Sequence, residues 1–164
     1  MDSIHCFSKS AEHYTPPEII KLVLGFWGVE KVDLDPCSNS WENPHFPARE
    51  VFTKEDCGLA HRWEANTLFM NPPYGREIGY WSAKLTDEYK LGRVKEAIAL
   101  VPGRIDTRWF GLFYGYTACF ITGRLKFVNN SDPAPFPSVL FYLGEREDAF
   151  AEHFSSVGKI WRAY

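Results

Sequence analysis

The chain has 164 residues, 45% of them hydrophobic and 24% charged, with a formal net charge of −3. That length predicts one domain spanning residues 1–164 with an ordinary core, and the charge excludes a strongly basic protein that coats nucleic acid. No run of 18 apolar residues occurs, which argues against a transmembrane helix.

The opening Met1-Asp2-Ser3-Ile4-His5-Cys6 lacks the basic and apolar stretches of a signal peptide, so a cytoplasmic location is expected. Thr15-Pro16-Pro17-Glu18 predicts a helix running to about Trp27. Thr15 fits its N-cap, Pro16 its first position and Glu18 the third, a capping box that Gly28 closes at the far end. Val32-Asp33-Leu34-Asp35 reads as a short strand ending at Pro36. From Cys37 to Arg49 the chain is loop-like, Val51-Phe52 is a brief strand, and Gly58 to Trp63 forms one helical turn.

The apolar run Thr67-Leu68-Phe69-Met70 then delivers Asn71-Pro72-Pro73-Tyr74 to the end of a strand. The two prolines have fixed φ and no N–H, so they stiffen the turn around an amide acceptor, a backbone carbonyl and an aromatic ring. Such a set suits an exocyclic amine on a flat ring, such as adenine or cytosine.

Farther on, Ile78, Trp81, Leu85 and Tyr89 recur at helical spacing, with Gly92 at the C-cap. Ala97-Ile98-Ala99-Leu100-Val101, bounded by Pro102, has the continuous apolar character of a buried parallel strand. Asp106 is expected to cap a helix carrying Trp109, Phe110 and Phe113. Ala118 to Ile121 predicts a strand that Leu125 to Val128 extends. A loop at 129–137, a strand from Ser138 to Leu143 and a helix over 148–157 complete the pattern. Strands alternating with helices predict an α/β fold with a mostly parallel sheet, and ligands in such sheets bind beyond the carboxyl ends of the strands. Asp35, Asn71 and Pro102 all fall there.

Charge is unevenly spread. Residues 1–75 hold 6 Lys/Arg against 11 Asp/Glu, while residues 76–126 hold 9 against 5. A phosphate backbone would be attracted to the basic block that begins just after the tetrapeptide. The cysteines at 6, 37, 57 and 119 form no Cys-x-x-Cys pair and are expected to be reduced. Cys37, His45, Cys57 and His61 lack the tight knuckle of a structural zinc site, so no metal is expected.

Taken in order, Tyr14-Thr15-Pro16, Leu34-Asp35-Pro36-Cys37-Ser38, Asp56-Cys57-Gly58-Leu59, Asn71-Pro72-Pro73-Tyr74-Gly75, Leu100-Val101-Pro102 and Gly123-Arg124-Leu125-Lys126-Phe127 resemble the phage-encoded Dam-like DNA N6-adenine methyltransferases. The resemblance runs from about residue 12 to about residue 143. It implies a class I, Rossmann-like fold that uses S-adenosylmethionine. It also implies that Tyr14, Thr15, Pro16, Asp35, Pro36 and Cys37 lie around the methionine end of the cofactor. By the same likeness Asp56, with Gly58 and Leu59, reads the cofactor's adenine amine, and Asn71, Pro72, Pro73 and Tyr74 are catalytic, with Asn71 also beside the cofactor. Phe127 stands where related enzymes set an aromatic residue against the extruded base.

Two features depart from that likeness. A glycine-rich loop is replaced by Pro36-Cys37-Ser38-Asn39, and only 36 positions separate Asp35 from Asn71. An abbreviated first half is therefore expected, since a full βαβ unit takes ~30 residues. The chain has no room for a separate target-recognition domain, so recognition falls to loops near 103–108 and 127–137 and a short or relaxed sequence preference follows.

The expected reaction moves a methyl group from S-adenosylmethionine to N6 of adenine in DNA, double- or single-stranded, by a monomer or homodimer away from membranes. Acceptors at the Asn71 side chain and the Pro72 carbonyl would take both amine protons and localise the nitrogen lone pair, while Tyr74 stacks on the base. Arg76, Arg104, Arg108, Arg124 and Lys126 are candidates for phosphate contacts, although each alone also fits a plain surface charge. The alternatives are N4 of cytosine, adenine in RNA, glutamine in a protein, or a catalytically silent nucleic-acid-binding module.

Overall fold

A computed structural model describes residues 12–163. Seven strands form one sheet: β1 (Val32–Asp35), β2 (Ala48–Val51), β3 (Ala65–Met70), β4 (Val94–Pro102), β5 (Thr117–Ile121), β6 (Ser138–Leu143) and β7 (Gly158–Trp161). Their order is β2-β1-β3-β4-β6-β5-β7. The first four form a parallel block, held by registers such as Leu34 opposite Leu68 and Phe69 opposite Ile98. Beyond β4 the sheet turns antiparallel, through β6, β5 and β7 in succession. The expected parallel character therefore holds for the block that carries Asp35 and Asn71 and fails in the second half. The reason is connectivity: β5 and β6 join through a loop rather than a crossover helix, so they pair antiparallel.

Helices cover both faces. On one side α1 (Pro17–Trp27) and α4 (Glu147–Phe154) bury Ile19, Val23, Phe26, Phe150 and Phe154 against Phe69, Ile98, Leu100 and Leu140. On the other, α2 (Ile78–Lys90) and the single turn α3 (Arg108–Gly111) bury Trp81, Leu85 and Phe110 against Leu68, Met70, Ala97 and Phe141. Neighbours in β3 and β4 thus point to opposite layers, which is why Leu68–Met70 and Ala97–Val101, the buried later parts of the two strands, read as unbroken apolar runs.

Between β1 and β3 the chain is short, as expected. Residues 36–47 carry no helix, and only a 3-10 turn, η1 (Gly58–Ala60), lies between β2 and β3. Several local expectations are corrected. The N-cap of α1 is Pro16, not Thr15, and no side chain bonds there, because the Thr15 hydroxyl is used elsewhere. Asp106 does not cap α3, whose N-cap is Thr107. Leu125–Val128 form no strand: Gly123, at φ 78, turns the chain, and Leu125 and Val128 bond to Ala134 and Tyr14 instead of a sheet neighbour. Strand β7 was not expected, since four residues with half-exposed faces carry little periodic signal.

Candidate active site

The parallel block and β5 bring Asp35, Asn71, Pro102 and the turn after Ile121 to one edge of the sheet, and residues 12–15 pass over it. There a cleft is lined by Tyr14, Thr15, Asp35, Cys37, Asn71, Pro72 and Pro73. Residues from three distant stretches of sequence therefore meet. His13, Ser38, His45, Phe46 and Phe69 also line it and were not among the expected site residues. His45 carried a signal, a histidine between the two prolines Pro44 and Pro47. Its Nε2 lies 2.6 Å from the Thr15 carbonyl and its ring stacks on Tyr14.

Asn71 is held in one orientation. Its Nδ2 donates to the His13 carbonyl at 2.6 Å and to Thr15 Oγ1 at 3.0 Å. A carbonyl oxygen only accepts, so the amide nitrogen must face it and the side-chain oxygen must face away. That oxygen is buried and accepts no hydrogen bond from the described residues. A buried acceptor without a donor costs about 1–3 kcal/mol, which a ligand N–H would recover.

Asp35 is 5% exposed and lies at the end of β1. Its Oδ1 accepts from the Cys37 N–H at 2.9 Å, closing the turn that stands where a glycine-rich loop was absent. Burial pushes its carboxyl up to about 7, and that N–H offsets only part of the shift. Burial and the neighbouring Asp35 likewise push the Cys37 thiol up.

The Asp56 segment lies next to this cleft rather than in its wall. Asp56 Oδ2 accepts from the Thr53 N–H at 2.9 Å and from the Trp41 indole N–H at 2.7 Å. The Thr53 N–H chiefly, with Trp41, holds this carboxyl below its ordinary range. Asp56 does not cap η1, whose N-cap is Cys57. Gly58 packs so closely that a Cβ there would meet the Pro36 carbonyl at 2.4 Å, so glycine lets the two loops touch. Leu59 packs into the core beneath.

Tyr74 and Phe127 come together, though not as open platforms. The Tyr74 hydroxyl donates to the Leu100 carbonyl at 3.1 Å, and burial pushes its ionisation well up. Phe127 is fully buried, 6.0 Å from Tyr74 between ring centroids. Phe136 and His13 complete the cluster.

The basic block divides. Arg76, Arg104, Arg108, Arg124 and Lys126 are all exposed and belong to the site edge or the turns beside it. Arg76 and Arg108 line one shallow depression with Gly79, Trp109 and Leu112. Arg93 and Lys95 instead stand at the start of β4, the opposite edge, and Arg93 pairs with the buried Glu88.

No group of three or more His, Cys, Asp or Glu among the described residues is arranged to hold a metal ion. His61 stacks on Phe52 and His45 is bonded to Thr15. Cys37 and Cys119 are free thiols, whereas Cys57 is in a disulfide, which corrects the expectation that all the cysteines are reduced. Cys6 and the opening residues lie outside the described residues.

Against this geometry, the family model for DNA N-6-adenine-methyltransferase (Dam) matches residues 8–139. The chain belongs to the DNA N-6-adenine-methyltransferase family. Its reaction is accordingly methylation of adenine at N6 in DNA, and it is an enzyme. No curated protein matches the chain. As a methyltransferase it implies S-adenosylmethionine as methyl donor. No helix among the described residues is long and apolar enough to cross a membrane. The matched stretch of this Dam-family methyltransferase holds the whole lining of the cleft, from Glu12 to Pro73, and the neighbouring Phe127.

Proposed function

We propose that Asn71 and Pro72 are the acceptors that grip the target adenine amine and that the cleft between Asp35 and Asn71 holds the methyl donor. The orphaned, buried Asn71 side-chain oxygen carries this reading. The amine lone pair is spread into the purine ring. Acceptors at Asn71 and at the Pro72 carbonyl would draw its two hydrogens out of the ring plane and concentrate that pair on nitrogen. Such bonds strengthen as positive charge develops, so they favour the transition state over the bound substrate.

The cleft fits S-adenosylmethionine in its chemistry. That molecule supplies, when bound, a methyl group on a sulfonium cation. Asp35 offers a buried carboxylate to face a cation, and Thr15, Cys37 and His45 surround it with polar groups. Asp56, anchored through one oxygen by Thr53 and Trp41, is the acceptor for an adenine amine of the cofactor. The topology, a parallel block with an antiparallel strand inserted beside β4, supports the class I methyltransferase architecture in an abbreviated form, with residues 1–164 as one methyltransferase domain. Arg76, Arg104, Arg108, Arg124 and Lys126 would hold phosphates around an extruded base, since duplex stacking hides N6 from any pocket. Loops near 103–108 and 127–137 would read the DNA, with a short sequence preference.

The test is incubation of unmethylated genomic DNA with labelled S-adenosylmethionine, followed by nucleoside mass spectrometry. The parent yields N6-methyladenine. Asn71→Ala loses at least two orders of magnitude in rate while still binding the cofactor. Equal rates for the two proteins would refute the assignment.

A further inference from the structure

The aromatic cluster beside Asn71 already contains a flat nitrogen heterocycle, and it comes from the chain itself. The His13 ring lies 4.7 Å from Tyr74 at an interplanar angle of 32°. It stands 5.0 Å from Phe127 and 5.5 Å from Phe136. Its Nδ1 is 3.2 Å from the Asn130 side-chain nitrogen, while its backbone carbonyl holds Asn71. Burial lowers its basicity, as suits a ring enclosed by aromatic walls.

Space decides what this means. A base lying between two rings needs their planes at about twice the ~3.5–4 Å carbon contact distance. No such gap exists between Tyr74 and His13. Phe127, fully buried, is shielded by the same imidazole.

We propose that His13 occupies the target-base slot of the free enzyme, walled by Tyr74, Phe127 and Phe136, and must swing out for adenine to enter. The proposal rests on the reading that Asn71 and Tyr74 receive the base. The hinge is short: His13 is tied through its neighbours to the loop 127–130, with the Tyr14 N–H donating to Asn129 Oδ1 and the Val128 N–H donating to the Tyr14 carbonyl. These backbone ties remain when the ring leaves, so the carbonyl that orients Asn71 stays in place. The ring therefore sets a threshold for base entry. An extruded purine replaces its aromatic contacts and adds hydrogen bonds to Asn71, whereas a smaller or poorly matched base recovers less.

The experiment has two independent readouts. In the first, the His13 ring protons of the parent are followed by NMR, where enclosure by three aromatic rings displaces them from free-imidazole positions. Addition of 2′-deoxyadenosine at millimolar concentration moves them toward free positions, and 2′-deoxyadenosine leaves the same signals of a Tyr74→Ala variant unmoved. In the second, methylation of genomic DNA is compared for the parent, His13→Ala and Asn130→Ala. Both variants lower KM for DNA at least three-fold, with kcat/KM rising accordingly. Ring signals unmoved by deoxyadenosine, or a KM that stays or rises in both variants, overturns the proposal. A parent rate equal to that of Asn71→Ala refutes the reading of the Asn71 site instead, and the NMR result still decides the role of His13.

Discussion

Thr15 Oγ1 lies 3.0 Å from Asn71 Nδ2, across 56 residues of sequence. Because that hydroxyl and the His13 carbonyl take both amide hydrogens, the Asn71 oxygen is the only end left for a ligand. Thr15 is thus a positioning residue for Asn71, and the helix behind it starts without its cap.

Thr15→Val tests the relationship. The methyl groups keep the volume and the hydrogen bond is lost, an effect of about 0.5–1.5 kcal/mol. The methylation rate falls roughly three- to ten-fold. Affinity for S-adenosylmethionine, read by calorimetry, changes less than the rate does. A rate equal to the parent's would show that the His13 carbonyl alone orients Asn71.

Asp35 makes cofactor binding depend on pH. Its carboxyl, raised to about 7 by burial, is largely protonated at pH 6 and largely ionised at pH 8. If only the ionised form attracts the sulfonium, affinity for S-adenosylmethionine tightens by about ten-fold across that interval. Calorimetry at pH 6, 7 and 8 measures it, and Asp35→Asn flattens the profile. The same shift acts on folding with the opposite sense to a salt-bridged acid. The native state holds a proton that the unfolded chain has released, so this group's contribution to stability declines as pH climbs from about 4 to about 7.

Glu88 behaves in the conventional way. It is 3% exposed, and it accepts from the Arg93 guanidinium and from the Trp63 N–H at 2.9 Å. Chiefly the Arg93 hydrogen bond holds its carboxyl below the ordinary range. The stability it provides is complete above the unfolded value, near 4.5, and is lost as pH falls through the lower native value. Glu88→Ala, which strands the Trp63 N–H and Arg93, destabilises by about 2 kcal/mol. Its midpoint of urea unfolding falls accordingly at pH 7, and the gap to the parent narrows in acid.

Arg76 and Arg108 face one depression at the site edge, and Lys95 stands at the other end of β4. Replacing both arginines by alanine reduces the slope of log binding constant against log salt by ~1.8, about 0.9 for each phosphate left without its arginine. Lys95→Ala leaves the slope unchanged. Fluorescence anisotropy with a labelled duplex over a range of NaCl concentrations reads both. Equal slopes for the double variant and the parent would place the DNA elsewhere.

Much of this was open to reading from the residues alone because the signals are local. An apolar run ending in Asn71-Pro72-Pro73-Tyr74 specifies a strand, a stiff turn and the chemistry at its tip. Gly28, with φ 64, ends α1 as its position demands, and the short span from Asp35 to Asn71 leaves room for little beyond a single 3-10 turn. The direction of β6 and β7 and the loss of a strand at Leu125–Val128 depended on how the chain returned across the sheet. No propensity within a window of ten residues carries that information.

Residue types thus determined what chemistry this chain can hold: an amide, a rigid carbonyl and a carboxylate at the lip of a parallel block. Folding decided which of those groups remain unspent. Thr15 carried a capping signal and serves Asn71 instead, and His13 carried no signal and fills an aromatic slot. The physical reason is that a hydrogen-bonding group is committed by whichever partner three-dimensional packing brings within about 3 Å, and those partners lie dozens of residues away.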